Sequence, residues 1–128
     1  MTGTMQKKVY YHDTDCGGVV YYANYLKYFE EGRTRYLADR AIDLAVLAKD
    51  GYLFVVKKVD IEYKSPARYG DNLIIDTVLA GKRSASLTFR QTVKRGDAVL
   101  VLADTVLVCI GSDFRPAPMP GDMAARLV

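Results

Sequence analysis

The sequence predicts an α+β domain in which one long helix lies against an antiparallel sheet of five strands. Three observations predict it. The chain has 128 residues and is 50% hydrophobic, the size and apolar content of one domain with a single core. Over residues 22–37 apolar side chains recur at steps of three and four, the period of a helix with one buried stripe. Beyond Gly51 that period gives way to short segments divided by turn residues, as in strands joined by tight turns. One helix across one face of a sheet is the simplest packing of these parts.

The first strand is expected over residues 5–11, where Met5, Val9 and Tyr11 alternate with Gln6 and Lys8. A loop holding Asp13, Asp15, Gly17 and Gly18 ends it. The helix over residues 22–37 carries Tyr22, Tyr25, Leu26, Phe29, Gly32, Tyr36 and Leu37 on its apolar stripe, with Lys27, Glu30 and Arg33 beside or away from it. Glycine within a helix costs roughly 1 kcal/mol relative to alanine, so Gly32 implies close approach to the sheet. A short second helix follows, with Asp43 as its N-cap and Gly51 as its stop.

Strands are then expected over residues 53–63, 73–80, 85–93 and 98–110. The breaks are Ser65-Pro66-Ala67, Gly70-Asp71-Asn72 and Arg95-Gly96-Asp97. The last strand is almost wholly apolar, which predicts burial on both faces. A single helix covers only one face, so the other is expected to meet a second copy of the protein. Residues 112–128 read as a Pro-containing C-terminal tail on a single domain of residues 1–128. The run Arg115-Pro116-Ala117-Pro118-Met119-Pro120 cannot continue a strand ladder and is expected to leave the body of the domain.

Composition removes several functional classes. The net charge of +3 is mild, and its basic residues come as scattered pairs such as Lys57-Lys58, Lys82-Arg83 and Lys94-Arg95, which disfavours nucleic acid. One histidine and two cysteines without cluster spacing leave a protein-held metal almost no ligands. Cys16 and Cys109 are expected to be free thiols in a cytoplasmic protein, and no apolar run is long enough to span a membrane.

The chemistry concentrates in one stretch. Seven of the ten tyrosines fall between Tyr10 and Tyr36, around Asp13, Asp15 and the glycine pair. Asp15 follows a strand, adjoins glycines that admit close backbone approach, and precedes a helix whose first amides and dipole attract negative charge. A carboxylate is ionised at neutral pH without tuning. Opposite such amides it can attack a carbonyl, or deprotonate water beside it, while the amides hold the oxygen; each such donor is worth about 3–4 kcal/mol. A carboxylate is a feeble nucleophile toward amides, whereas a thioester has a better leaving group, so acyl transfer from sulfur to water suits the arrangement. On pattern alone the same residues also make an ordinary turn or helix cap, and Asp13 competes with Asp15 as the acid.

The run from Asp13-Thr14-Asp15-Cys16-Gly17-Gly18-Val19-Val20-Tyr21-Tyr22 to Phe29-Glu30-Glu31-Gly32-Arg33-Thr34 closely resembles the signature of hotdog-fold acyl-CoA thioesterases. The nearest group is that of 4-hydroxybenzoyl-CoA thioesterase, including its Tol-Pal-associated YbgC branch. Ile61-Glu62-Tyr63, Ser65-Pro66-Ala67, Gly70-Asp71, Arg83-Ser84 and Arg115-Pro116-Ala117-Pro118 extend the resemblance over residues 7–120. It implies a hotdog fold, a long helix wrapped by a five-stranded antiparallel sheet. It also implies Asp15 as nucleophile or general base and the Tyr22 backbone amide as donor to the thioester carbonyl. Gly18, Val19 and Tyr25 are the substrate-binding candidates near Asp15. Lys82, Arg83 and Ser84 are candidates for the nucleotide end of coenzyme A.

By the same resemblance, coenzyme A thioester is the substrate and no cofactor is needed. The acyl group is short-chain or aromatic, acyl carrier protein is an alternative donor, and the assembly is a dimer or dimer of dimers. The YbgC branch usually has histidine where this chain has Tyr22. Two rival readings stand beside this one. A non-catalytic module binding acyl-CoA or acyl carrier protein would lack the acid that Asp15 supplies, and a dehydratase would need a histidine better placed than His12, the only one.

Overall fold

Glycine 32 sets the distance between helix and sheet. In the computed structural model, which describes residues 2–127, a Cβ at this position would lie 2.9 Å from Gln91 Nε2 and Ile75 Cγ2 and 3.0 Å from Thr77 Oγ1. The elements that meet there are β1 (Thr2–Lys8), α1 (Asn24–Ala38), α2 (Leu44–Lys49), β2 (Leu53–Tyr63), β3 (Asn72–Lys82), β4 (Ser86–Arg95), β5 (Ala98–Ile110) and α3 (Gly121–Arg126). The five strands form one antiparallel sheet in the order β1-β3-β4-β5-β2, with α1 along one face, as expected. Among the described residues no helix is long and apolar enough to cross a membrane.

Alternation places Leu87, Phe89, Gln91 and Val93 of β4, and Val101, Ala103, Thr105, Leu107 and Cys109 of β5, against α1. Among the described residues of one chain, no layer covers the second face of β5. Leu102, Asp104, Val106 and Val108 are only half-buried, and charge pairs sit on this outer surface, Arg90 with Asp104 at 2.9 Å and Lys94 with Asp76 at 2.9 Å. Apolar residues occupy outward positions that other strands give to polar ones, which hid the alternation.

The helix stripe is also rotated from its expected phase. Tyr28 and Arg33 are buried, whereas Leu26 and Tyr22 are exposed. The cause lies under Gly32. Gln91 donates from Nε2 to Phe29 O (2.9 Å) and Thr77 Oγ1 (2.9 Å), and its Oε1 accepts from Arg33 (3.2 Å), drawing a guanidinium onto the sheet. Glu30 accepts from Thr34 Oγ1 at 3.3 Å.

The predicted tail does not leave the domain. Ala117 donates to Cys109 O (2.9 Å) and Met119 to Ser84 O (2.8 Å), so the amides between the prolines join backbone that the prolines themselves cannot. Met123 of the unforeseen α3, with Met119 before it and Leu127 after it, then packs into one cluster with Leu87, Phe89 and Cys109. Elsewhere the expected capping holds: Asp43 Oδ1 accepts from the Ala45 amide at 2.8 Å to start α2.

Candidate active site

The chain leaves β1 through Val9, whose amide and carbonyl pair with Asp71 O (2.9 Å) and the Gly70 amide (3.0 Å). It then bends where the sequence predicted continued strand. Asp13 Oδ2 accepts from the Tyr10 amide at 2.8 Å, and the Asp13 and Thr14 amides donate to Tyr10 O and Tyr11 O, both at 3.0 Å. The result is a 3-10 turn over Tyr11–Asp13. This turn separates the two acids: Asp13 is buried and Asp15 exposed. Tyr28 lies against Asp13, and burial first, then the nearby carboxylate, push its hydroxyl well above the usual tyrosine range.

A tight hairpin carries Asp15. Its amide donates to Val19 O (2.9 Å), its carbonyl accepts from Gly18 N (3.1 Å), and Thr14 bridges Val20. Gly18 has φ +77°, a backbone region that side-chain-bearing residues rarely adopt, so the turn requires glycine there. One carboxylate oxygen, Oδ1, accepts from the Gly17 amide at 2.8 Å. The other makes no protein hydrogen bond among the described residues and faces outward.

The helix start is tied to the same turn. Asp13 O accepts from both the Tyr21 amide (3.0 Å) and Asn24 Nδ2 (2.9 Å). The α1 helix begins at Asn24, two residues later than expected, with Ala23 at its N-cap and no side chain bonded to its first amides. Among the described residues the Tyr22 and Ala23 amides find no acceptor. Free donors at the positive end of a 15-residue helix are a place for developing negative charge.

The other predicted residues fall into three groups. Asp15 and Gly18 line a surface cavity of about 510 Å³ with Tyr11 and Tyr69; His12 and Cys16 stand beside Asp15 in a larger concavity of about 710 Å³. Val19 bridges Arg68 through its backbone. Tyr22 lines a separate cavity of about 260 Å³ with Tyr25, Tyr63 and Pro66. Tyr25 is buried and its hydroxyl accepts from the Ala67 amide at 3.0 Å, so it braces the connection between β2 and β3; burial raises it and the Ala67 bond opposes that.

Lys82, Arg83 and Ser84 are not brought to Asp15 within one chain. They lie at the far end of the 11-residue β3, roughly 33 Å along the strand from the Asp15 loop. There Lys82 Nζ donates to Ala124 O at 3.0 Å.

Three residues escaped the sequence reading. Asn24 gave only a faint signal, a short polar side chain at a helix start. Tyr11 and Tyr69 gave a clearer one, since Tyr69 is an aromatic in the polar turn Arg68-Tyr69-Gly70-Asp71.

Comparison with known proteins places this geometry. The model of the thioesterase-like superfamily matches residues 9–127. The chain is 36% identical to acyl-CoA thioester hydrolase YbgC of Escherichia coli O6:H1, over 93% of this chain and 90% of that one. It is 35% identical to acyl-CoA thioesterase YbgC of Haemophilus influenzae, over 92% and 88%. The crystal structure of a probable thioesterase from Bartonella henselae superposes with a TM-score of 0.90 at 31% identity, covering 94% of this chain and 100% of that one.

Proposed function

The chain belongs to the thioesterase-like superfamily and is an acyl-CoA thioester hydrolase, and from that premise we propose that Asp15 and the amides before α1 carry the reaction. The observation that supports this most is the turn at Asp13, which exposes Asp15 and, through the same carbonyl, holds the start of α1. The thioester carbonyl oxygen sits at the Tyr22 and Ala23 amides, which strengthen their bonds as that oxygen gains charge. The free Asp15 oxygen attacks the carbonyl carbon, the C–S bond breaks and coenzyme A leaves as thiolate; water then cleaves the acyl-aspartate anhydride. With Asp15 as general base, water is the attacking group and Asp15 takes its proton. Both routes use the same atoms and yield free acid and thiol. Tyr22 contributes its backbone and, unlike histidine, carries no imidazole.

Short-chain and aromatic acyl groups are the proposed substrates. Acyl carrier protein, which presents the same pantetheine thioester, is a proposed second donor, because Asp15 lies at the surface where a bulky carrier can reach it. The working unit is at least a dimer and is proposed to pair further into a dimer of dimers. A second copy would supply Lys82, Arg83 and Ser84 to the nucleotide end, since their own chain holds them too far away. We place the enzyme in the cytoplasm, a reading supported by its two free thiols.

The test is thiol release from acyl-CoA by wild type and by Asp15→Asn. The expected loss is about 10²–10⁴-fold in kcat, with an unchanged circular dichroism spectrum and oligomeric state. Undiminished turnover would remove Asp15 from the mechanism.

A further inference from the structure

We propose that Tyr11 and Tyr69 form an aromatic corner that receives a planar ring of the substrate and so determines specificity. This rests on the thioesterase reading and goes beyond it, because neither tyrosine takes part in the chemistry at Asp15. Tyr11 is 79% exposed and Tyr69 65%, among the most exposed large apolar side chains of the described residues. Neither hydroxyl makes a hydrogen bond there. Neither ring contributes to the buried core clusters. Exposed aromatic surface without a packing role marks a contact to something else.

The two rings are held in place although they stand far apart in sequence. Tyr11 opens the 3-10 turn, and Tyr69 lies in the connection whose backbone is fixed by Val9 and by its own amide bond to Gly18 O (3.4 Å). Their centroids are 6.0 Å apart and their planes tilt by 59°. Rings at that distance already touch, so no group inserts between them. They present instead a corner into which a third ring fits, face against one tyrosine and edge against the other. Both rings line the same cavity as Asp15.

A substrate ring can come from the acyl group or from the adenine of coenzyme A. Both are planar π-systems that such a corner accepts, and the shared cavity with Asp15 puts the acyl ring within closer reach.

Measurement of kcat/KM for benzoyl-CoA, hexanoyl-CoA and benzoyl-pantetheine separates the two sources. For Tyr11→Leu and Tyr69→Leu, a fall of about three- to tenfold in the benzoyl-CoA to hexanoyl-CoA ratio assigns the corner to the acyl ring. A similar fall in the benzoyl-CoA to benzoyl-pantetheine ratio assigns it to adenine. Tyr11→Phe and Tyr69→Phe keep the ring and should keep both ratios. If neither ratio moves by more than about twofold in the leucine variants, the proposal is wrong. Dissociation constants of the same three compounds for Asp15→Asn, with and without the leucine substitutions, read the selectivity without turnover. Failure of wild type to release thiol from any of the three would count against the hydrolase reading separately.

Discussion

Asp13 and Asp15 are two residues apart and chemically alike, yet local hydrogen bonds give them opposite fates. Asp13 spends its carboxylate on the Tyr10 amide and its carbonyl on Tyr21 and Asn24. Asp15 spends one oxygen on Gly17 and keeps the other. The Asn24 side chain is therefore the stitch between the acid-bearing hairpin and the helix start. Removing it in Asn24→Ala costs one hydrogen bond of about 0.5–1.5 kcal/mol, felt as misplacement of Asp15 relative to the Tyr22 and Ala23 amides. The expected result is a kcat lower by about three- to tenfold, with KM within about twofold of wild type and a melting temperature lower by a few degrees at most. A KM rise with kcat intact would show that Asn24 serves binding instead. The sequence showed that an acid stood at this junction. Its pattern alone left Asp13 competing with Asp15, which only the family resemblance singled out, because the separation depends on which amide each carboxylate reaches after the chain has bent.

At the scale of elements, α1 and the sheet are locked at Gly32. An alanine there suits a helix better by about 1 kcal/mol. Its Cβ, however, would press on Gln91, whose amide is already committed to Phe29 O and Thr77 Oγ1 and cannot move without giving up those bonds. Gly32→Ala is therefore expected to lower the free energy of unfolding by about 1–3 kcal/mol, read from urea denaturation; a stabilised variant would mean that helix and sheet separate easily.

Gly32 was legible in the sequence because an unfavourable residue on a buried stripe needs a reason. The strands 53–63 and 98–110 were legible in full, bounded by turn residues. The ends of the chain were less so. The prolines of residues 116–120 hid backbone bonds made by the residues between them, and α3 depends on Met119, Met123 and Leu127 finding a site on β4 and β5 that no local pattern announces. The phase of α1 was misread at Arg33, because a buried guanidinium is permitted only by Gln91, a residue 58 positions away.

At the scale of the whole molecule, the sheet holds Asp15 and the Lys82–Ser84 turn at opposite ends, so the proposed use of both at one site would need two chains. Mixing Asp15→Asn protein with the double variant Lys82→Ala, Arg83→Ala tests it. If the turn acts on the partner's substrate, each mixed dimer regains one intact site: unmutated Asp15 from one chain and the unmutated basic turn from the other. Activity at subsaturating acyl-CoA should then exceed that of either variant alone. If the turn acts within its own chain, or not at all, mixing restores nothing.

The strand order carries a consequence for how the chain is made. β1 pairs with β3, Thr2 opposite Val78 and Lys8 opposite Asn72, and β2 lies at the other edge of the sheet. On the ribosome the first strand and the aromatic face of α1 emerge early and wait for residues beyond position 72 before either has a surface to join. Such distant pairings put the protein among slow folders, with apolar surface open to other nascent chains in the interval. The hairpin that arms Asp15, pinned at Ala67, Arg68 and Tyr69, would be among the last parts to close.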